Sequence, residues 1–280
     1  MPGLDRLRAD WQRLEQAPTD HGAAFFQSFA WCRHVADVRQ RRSPDRFKLL
    51  VAVVTDGTEL IGLWPLSLRL ASRMWGLRNL DDPFGQLAGI LCRHPDLIGP
   101  CVAAVLDRVR QDGTADAVCI ANVIEGTPLH RALADVGAKA SGTNQTVQVD
   151  MRGSPTFADY QRTLNAKSRK NLRNALNRLG RQGEVADVVV EAREQLVIRQ
   201  TFDRRLDWMR QRGKSTDAFR DADFRPIVEG LCDAPGVSLV GFQMHLSGQP
   251  ICSQWGFIHG GRYYLPTGLK RRLAQWVNAR

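Results

Sequence analysis

Apolar positions recur at helical spacing over residues 4–14 and 26–38, which predicts two N-terminal helices, the second with Gln27-Ser28 as its cap. Two apolar runs rich in strand-forming residues follow, 47–54 and 59–68, on either side of Thr55-Asp56-Gly57-Thr58. An Asp-Gly pair between such runs predicts a β-hairpin. Beyond a turn-rich stretch at 81–85 the pattern predicts a strand at 87–92, a helix at 95–110, a short strand at 117–121, a helix at 127–136 and a strand at 146–150.

The stretch Met151-Arg152-Gly153-Ser154-Pro155 reads as a linker and divides the chain into residues 1–152 and 153–280. After it come helices at 157–164 and 167–181, a strand at 185–190, helices at 195–212 and 222–232, and three strands at 237–245, 249–258 and 262–266. Each half thus has two helices, then a hairpin and a third strand. The halves share this order without internal sequence identity.

Composition narrows the picture. The chain has 280 residues, 43% of them hydrophobic, enough for one large core or two modest ones. The longest apolar stretch, 47–54, is far too short to span a bilayer, and the N-terminus has no export-signal pattern, so a cytoplasmic protein is expected. The six cysteines and six histidines are dispersed without metal-ligand spacing, which predicts free thiols and no metal.

The net charge of +10 is concentrated in one half: residues 1–150 carry 17 basic and 17 acidic residues, and residues 151–280 carry 22 and 12. Within that half, residues 165–182 hold six Lys/Arg and no acid. At 100° per residue Leu172, Ala175, Leu176 and Leu179 share one face, with Lys170, Arg173, Arg178 and Arg181 opposite. This basic face is either an ordinary solvated one or a binding surface for phosphate, carried by an acyl donor or by RNA. It lacks the interleaved aromatics of a single-strand nucleic-acid binder and the Trp or Phe of an interfacial helix.

The chain resembles the GNAT-type acyltransferases of the FemAB-like and CelD-like (BioF2-like) group. The residues that carry the resemblance are Ser168-Arg169-Lys170-Asn171-Leu172-Arg173, Ser253-Gln254-Trp255-Gly256-Phe257 and His259-Gly260-Gly261-Arg262-Tyr263-Tyr264-Leu265, with Phe26-Gln27-Ser28-Phe29-Ala30-Trp31 and Gly62-Leu63-Trp64-Pro65-Leu66 in the first half. The resemblance implies an α/β (α+β) fold of two tandem GNAT-like units, each a mixed, mostly antiparallel sheet flanked by helices. It also implies transfer of an acyl or acetyl group from acyl-CoA (acetyl-CoA) to an amine of a sugar, cell-envelope precursor or small metabolite. An aminoacyl-tRNA donor, and hence tRNA as a partner, is the alternative within the group. A non-catalytic nucleic-acid-binding or scaffold protein is the alternative outside it.

Such chemistry needs amides at a helix N-terminus for the donor's pyrophosphate, an oxyanion donor and a proton source. In the family the first of these follows the third strand of the second half. Here Val277-Asn278-Ala279 stands at that place, and the chain as given is expected to bind acyl-CoA poorly. The first half offers no substitute, because its equivalent helix opens with Arg93-His94-Pro95-Asp96 and an acid there repels phosphate. The acceptor cleft is expected at Asp81, Asp82, Phe84, Gln254 and Trp255, with Tyr263 and Tyr264 as candidate catalytic acids and Lys170, Arg173 and Arg178 as donor-binding cations. Each has an ordinary structural reading as well: Asp81-Asp82-Pro83 is a turn-forming sequence, and strand alternation sends one residue of each pair 254/255 and 263/264 inward.

Overall fold

The architecture is that of a computed structural model in which residues 2–17, 25–191 and 195–265 are described. The first helical pattern breaks at Leu7 into α1 (Pro2–Arg6) and α2 (Arg8–Glu15). The second is α3 (Phe29–Arg42), capped as expected by Ser28, whose Oγ accepts from the Trp31 amide at 3.3 Å. The predicted hairpin is β1 (Phe47–Asp56) with β2 (Glu59–Ala71), closed by Gly57 at φ +59°.

A strand that the sequence pattern does not reveal, β3 (Met74–Asn79), pairs antiparallel with β2. Its two-residue turn, Ser72-Arg73, holds both residues at positive φ, 49° and 69°. Such turns normally announce themselves through Asn-Gly or Asp-Gly, and here the signature is absent. Next come β4 (Leu91–Cys92), a short 3-10 turn, α4 (Ile98–Gln111), β5 (Ala117–Cys119) and α5 (Pro128–Asp135), the last capped by Thr127. The sheet runs β1-β2-β3-β5, with β4 also on β2 and β5 parallel to β3.

Two expected strands change. Residues 87–92 pair only at 91–92, because Leu87 and Ala88 spend their backbone groups on Gln27 and Asn122. Residues 146–150 are exposed and form no strand, with Val147 74% accessible. Period-two alternation supplies a face but no hydrogen-bond partner, and a strand needs both.

In the second half α6 (Phe157–Thr163) opens on a Thr156/Asp159 capping box, and α7 (Ala166–Gly180) is capped by Asn165, whose side chain accepts from the Ser168 amide at 2.8 Å. Then follow β6 (Val185–Glu191), α8 (Gln195–Gln211), α9 (Asp217–Arg220), α10 (Phe224–Gly230), β7 (Leu239–Leu246), β8 (Gln249–His259) and β9 (Arg262–Tyr264). The helix expected at 222–232 is thus shorter, starting after Asp223 and ending in a 3-10 turn. The second sheet is an antiparallel β6-β7-β8-β9 array.

Two apolar cores result. One lies between the first sheet and α4 and α5, built on Trp64, Leu66, Leu77, Cys101, Val102 and Leu129. The other gathers residues from both halves: Trp11, Phe25, Trp31 and Val35 meet Ile198, Ile227, Trp255 and Phe257. Each fully buried side chain of this size contributes about 1.5–3 kcal/mol. The α2–α3 layer is therefore packed between the two sheets, and the halves share a core despite the connector at 151–155.

Candidate active site at the junction of the halves

The loop after β3 carries the candidate site. Asn79 donates to the Ala121 carbonyl at 2.8 Å, Asn122 donates to the Gly85 carbonyl at 2.6 Å, and Gln86 reaches the Leu265 carbonyl beyond β9. Asp81 folds back on its own loop, its carbonyl accepting from the amides of Phe84 at 2.6 Å and Gly85 at 3.1 Å. The expected turn is present, with a cis Asp82-Pro83 bond. It is also a site where side chains of both halves converge.

Asp81 is 4% accessible and accepts a 2.9 Å hydrogen bond from the Trp31 indole. Burial disfavours its charge and pushes its pKa up to about 7, against the opposing pull of the Trp31 hydrogen bond. A carboxyl poised near neutrality can take a proton and release it at working pH. Trp31 in turn contacts Phe25 and Phe257 at 5.3 and 5.5 Å, and Phe25 contacts Phe257 and Tyr264 at 4.4 and 5.6 Å. An aromatic chain thus links Asp81 of the first half to Tyr264 and Trp255 of the second.

Beside it lies an ionic cluster that the sequence reading missed. Arg39, 0% accessible, bonds Asp221 at 2.9 Å and Asp223 at 3.0 Å, donates to the Asp82 carbonyl at 3.2 Å and lies 4.8 Å over the Phe84 ring. Phe84 itself stacks on Phe224 at 4.7 Å. Arg69 joins through Asp221 at 3.1 Å and the Asp82 carbonyl at 3.3 Å. Burial works to raise the Asp221 pKa, but Arg39 and its other partners outweigh it and hold the carboxyl low. A signal for this cluster was available: Arg39 stands four residues after Val35 and seven after Cys32, on the apolar stripe of α3. A cation in that stripe requires a buried counter-charge.

Strand alternation divides the second-half candidates between the two faces of the sheet. Trp255 and Tyr264 face the shared core and are buried. Gln254 and Tyr263 hydrogen-bond each other, Tyr263 packs on Phe242 at 5.8 Å and remains 39% accessible. Both tyrosine hydroxyls titrate above their ordinary range because of burial. Gly256 permits this arrangement, since a Cβ there would lie 2.4 Å from the Tyr264 carbonyl oxygen and 2.6 Å from the Tyr263 ring. The junction therefore unites Asp81, Asp82, Phe84, Trp255 and Tyr264, and leaves Gln254 and Tyr263 on the other face.

The basic face of α7 is exposed at Lys170, Arg173 and Arg178, while Leu179 is buried and Leu172 and Ala175 are half-buried. The stretch in which Val277-Asn278-Ala279 stands in place of the donor-binding turn lies outside the described residues. Among the described residues no group of His, Cys, Asp and Glu is placed to hold a metal ion, and no helix is long and apolar enough to cross a membrane.

Comparison with known proteins adds similarities of sequence and fold. A family model described as "Acetyltransferase (GNAT) domain" matches residues 166–272. The fold is similar to a crystal structure of FemX, with a TM-score of 0.50 and 12% identity over 85% of this chain. The chain spans 56% of the length of that FemX chain. A conserved protein of unknown function from Bacteroides thetaiotaomicron VPI-5482 also matches, at a TM-score of 0.43 and 13% identity over 89% of this chain and 72% of the other. No curated protein matches significantly in sequence. Residues 166–272 thus match a GNAT-type acetyltransferase domain, and the fold as a whole is similar to that of FemX.

Proposed function

We propose that the chain transfers an acyl group from an activated ester to an amine held at the junction of its halves. The match of residues 166–272 to an acetyltransferase domain carries the reading. The Asp81 carboxyl, buried at that junction with a pKa near 7, supplies a matching proton acceptor. In the reaction a C–N bond forms as the donor's C–S or C–O bond breaks; the amine's proton passes to Asp81, and the leaving group is protonated. Tyr264, joined to Asp81 through Phe25 and Trp31, and Tyr263, on the opposite face, are the candidate donors of that second proton. Both are protonated at neutral pH, and burial raises their pKa further.

Acyl-CoA is the proposed donor, and its thioester supplies the activated carbonyl. Lys170, Arg173 and Arg178 meet its phosphates, and the exposed cationic face of α7 suits that charge. The acceptor is an amine of a sugar, cell-envelope precursor or small metabolite, in a cytoplasmic setting. A second donor, an aminoacyl ester on tRNA, is favoured by the same basic face, which would meet an RNA backbone equally well. The units divide between Asp150 and Phe157, where the connector carries no sheet hydrogen bonds.

The test gives the purified chain acetyl-CoA or aminoacyl-tRNA with a panel of amines, and follows thiol or tRNA release. Turnover with acetyl-CoA supports the leading reading, and turnover with the charged tRNA alone selects the second. Absence of turnover and of binding with both donors rejects acyl transfer by this chain.

A further inference from the structure

We propose that the corner formed by the C-terminal end of α8, residues 212–216 and α9 binds a phosphorylated nucleoside. Trp208 is its stacking platform, and Arg205, Arg212 and Lys214 are its phosphate partners. This site shares no residue with the junction, and the inference stands independently of the acyl-transfer reading.

A pocket of about 440 Å³ opens here, lined by Arg205, Trp208, Lys214, Ser215 and Arg220 among others. That volume is in the range of small-ligand sites. Its distinguishing feature is three cations around one half-buried indole: Arg205 at 4.5 Å, Arg212 at 5.6 Å and Lys214 at 5.9 Å from the ring centre. Attraction to the ring is worth about 0.5–1 kcal/mol per exposed cation. Against this stands the mutual repulsion of like charges, which an anion beside Arg212 and Lys214 would relieve.

The nearby acids pair with other cations. Asp207 pairs with Arg210 at 3.4 Å, and Asp217 pairs with Arg220 at 3.2 Å. Among the described residues Arg212 and Lys214 form no ion pair. Residues 205–220 hold five cations and two carboxylates. Cations at a helix C-terminus favour the helix dipole, which accounts for their presence but not for their gathering on Trp208.

The arrangement is pre-organised. Gly213, at φ +58°, ends α8 in a Schellman turn in which the Lys214 amide donates to the Met209 carbonyl at 2.9 Å and the Gly213 amide to the Arg210 carbonyl at 3.1 Å. This turn sends the chain back so that Lys214 meets the ring. Below it Met209 is buried and Phe202 packs on Phe219 at 4.9 Å. Ser215 is held at the rim, its Oγ accepting from Arg220 at 3.2 Å. An aromatic platform beside cations and a hydroxyl matches the two parts of a nucleotide, a planar base and a phosphate.

The experiment is calorimetric titration of the full chain with ADP, adenosine, inorganic pyrophosphate and a five-nucleotide single-stranded RNA. ADP should bind at least about tenfold more tightly than adenosine or pyrophosphate, because only it engages both parts of the site. Trp208→Ala should weaken ADP about tenfold, with Trp208→Phe restoring part of the loss. Arg212→Gln with Lys214→Gln should weaken binding and flatten its salt dependence. The circular-dichroism melt of each variant checks that it is folded, and the charge variants keep the test intact if Trp208→Ala does not fold. RNA that competes with ADP identifies a strand end as the source of the nucleotide, and ADP binding without RNA competition identifies a free nucleotide. If neither ADP nor RNA binds at millimolar concentration, or if the variants leave their affinity unchanged, the proposal fails.

Discussion

The indole of Trp31 donates to the carboxylate of Asp81 at 2.9 Å, joining two buried residues 50 positions apart in sequence. The bond orients a carboxyl whose burial raises its pKa to about 7. The pH dependence follows from that value. Activity as kcat/KM should rise through about pH 7 and level off above it, as the proton acceptor becomes ionised. Asp81→Asn should abolish that rise and most of the activity, whereas a flat profile in the parent protein would exclude Asp81 from the chemistry.

Stability should run the other way. Above the ordinary Asp range the unfolded chain releases this proton and the folded chain keeps it until about pH 7. The native state thus binds more protons between about pH 4 and 7, and stability falls as pH rises through that window. The shift corresponds to a cost of the order of 4 kcal/mol above pH 7. Urea unfolding of the parent and of Asp81→Asn should give curves that diverge with rising pH in favour of the variant. Parallel curves would show that Asp81 is not held protonated.

Arg39 should be the most sensitive charge in the fold. Its side chain is 1% accessible and its partner Asp223 is 4% accessible, so Arg39→Met takes the buried cation from two carboxylates and leaves them the more exposed Arg42 and Arg69. Such losses cost about 3–5 kcal/mol, and Arg39→Lys should recover only part because an ammonium lacks the guanidinium fork. Arg13→Met, which breaks an exposed pair with Asp10, should cost under about 1 kcal/mol. Equal effects of Arg39→Met and Arg13→Met in chemical denaturation would refute the role assigned to the cluster.

Gly85 should tolerate no side chain. A Cβ there would stand 2.2 Å from the Asp81 carboxylate. Because Asp81 is buried and tied to Trp31, it has no free direction in which to move. Gly85→Ala should cost about 1–3 kcal/mol, the usual range for overpacking, and displace the pH profile of activity. Gly99→Ala, where the new methyl meets nothing within 4 Å, is the control.

Combined Lys170→Gln, Arg173→Gln and Arg178→Gln should change stability by no more than about 0.5 kcal/mol per site, since all three side chains are exposed. Titration with acetyl-CoA and with tRNA should show weakened binding of whichever donor the chain uses, together with a shallower salt dependence. Unchanged affinity for both would reduce this face to a solvated surface.

Local chemistry made much of the architecture legible in the sequence. Ser28 announces a helix start because a short side-chain oxygen serves an otherwise unpaired amide, and the structure uses Thr127 and Asn165 in the same way. Asp56-Gly57 announces a hairpin because glycine accepts positive φ at no cost. The charged and apolar faces of α7 follow from helical geometry alone. Only the tertiary structure could decide what distant segments do to one another. It withheld a partner from residues 146–150, turned Ser72-Arg73 into a hairpin without the usual residues, and chose which of Tyr263 and Tyr264 faces the core. The same applies to the site. That Asp81 belongs to a turn is written in its neighbours, but its raised pKa comes from burial beneath Trp31, and the counter-charges of Arg39 lie more than 180 residues away. Desolvation and ion pairing depend on what surrounds a group in space, and sequence order specifies that only once the chain has folded.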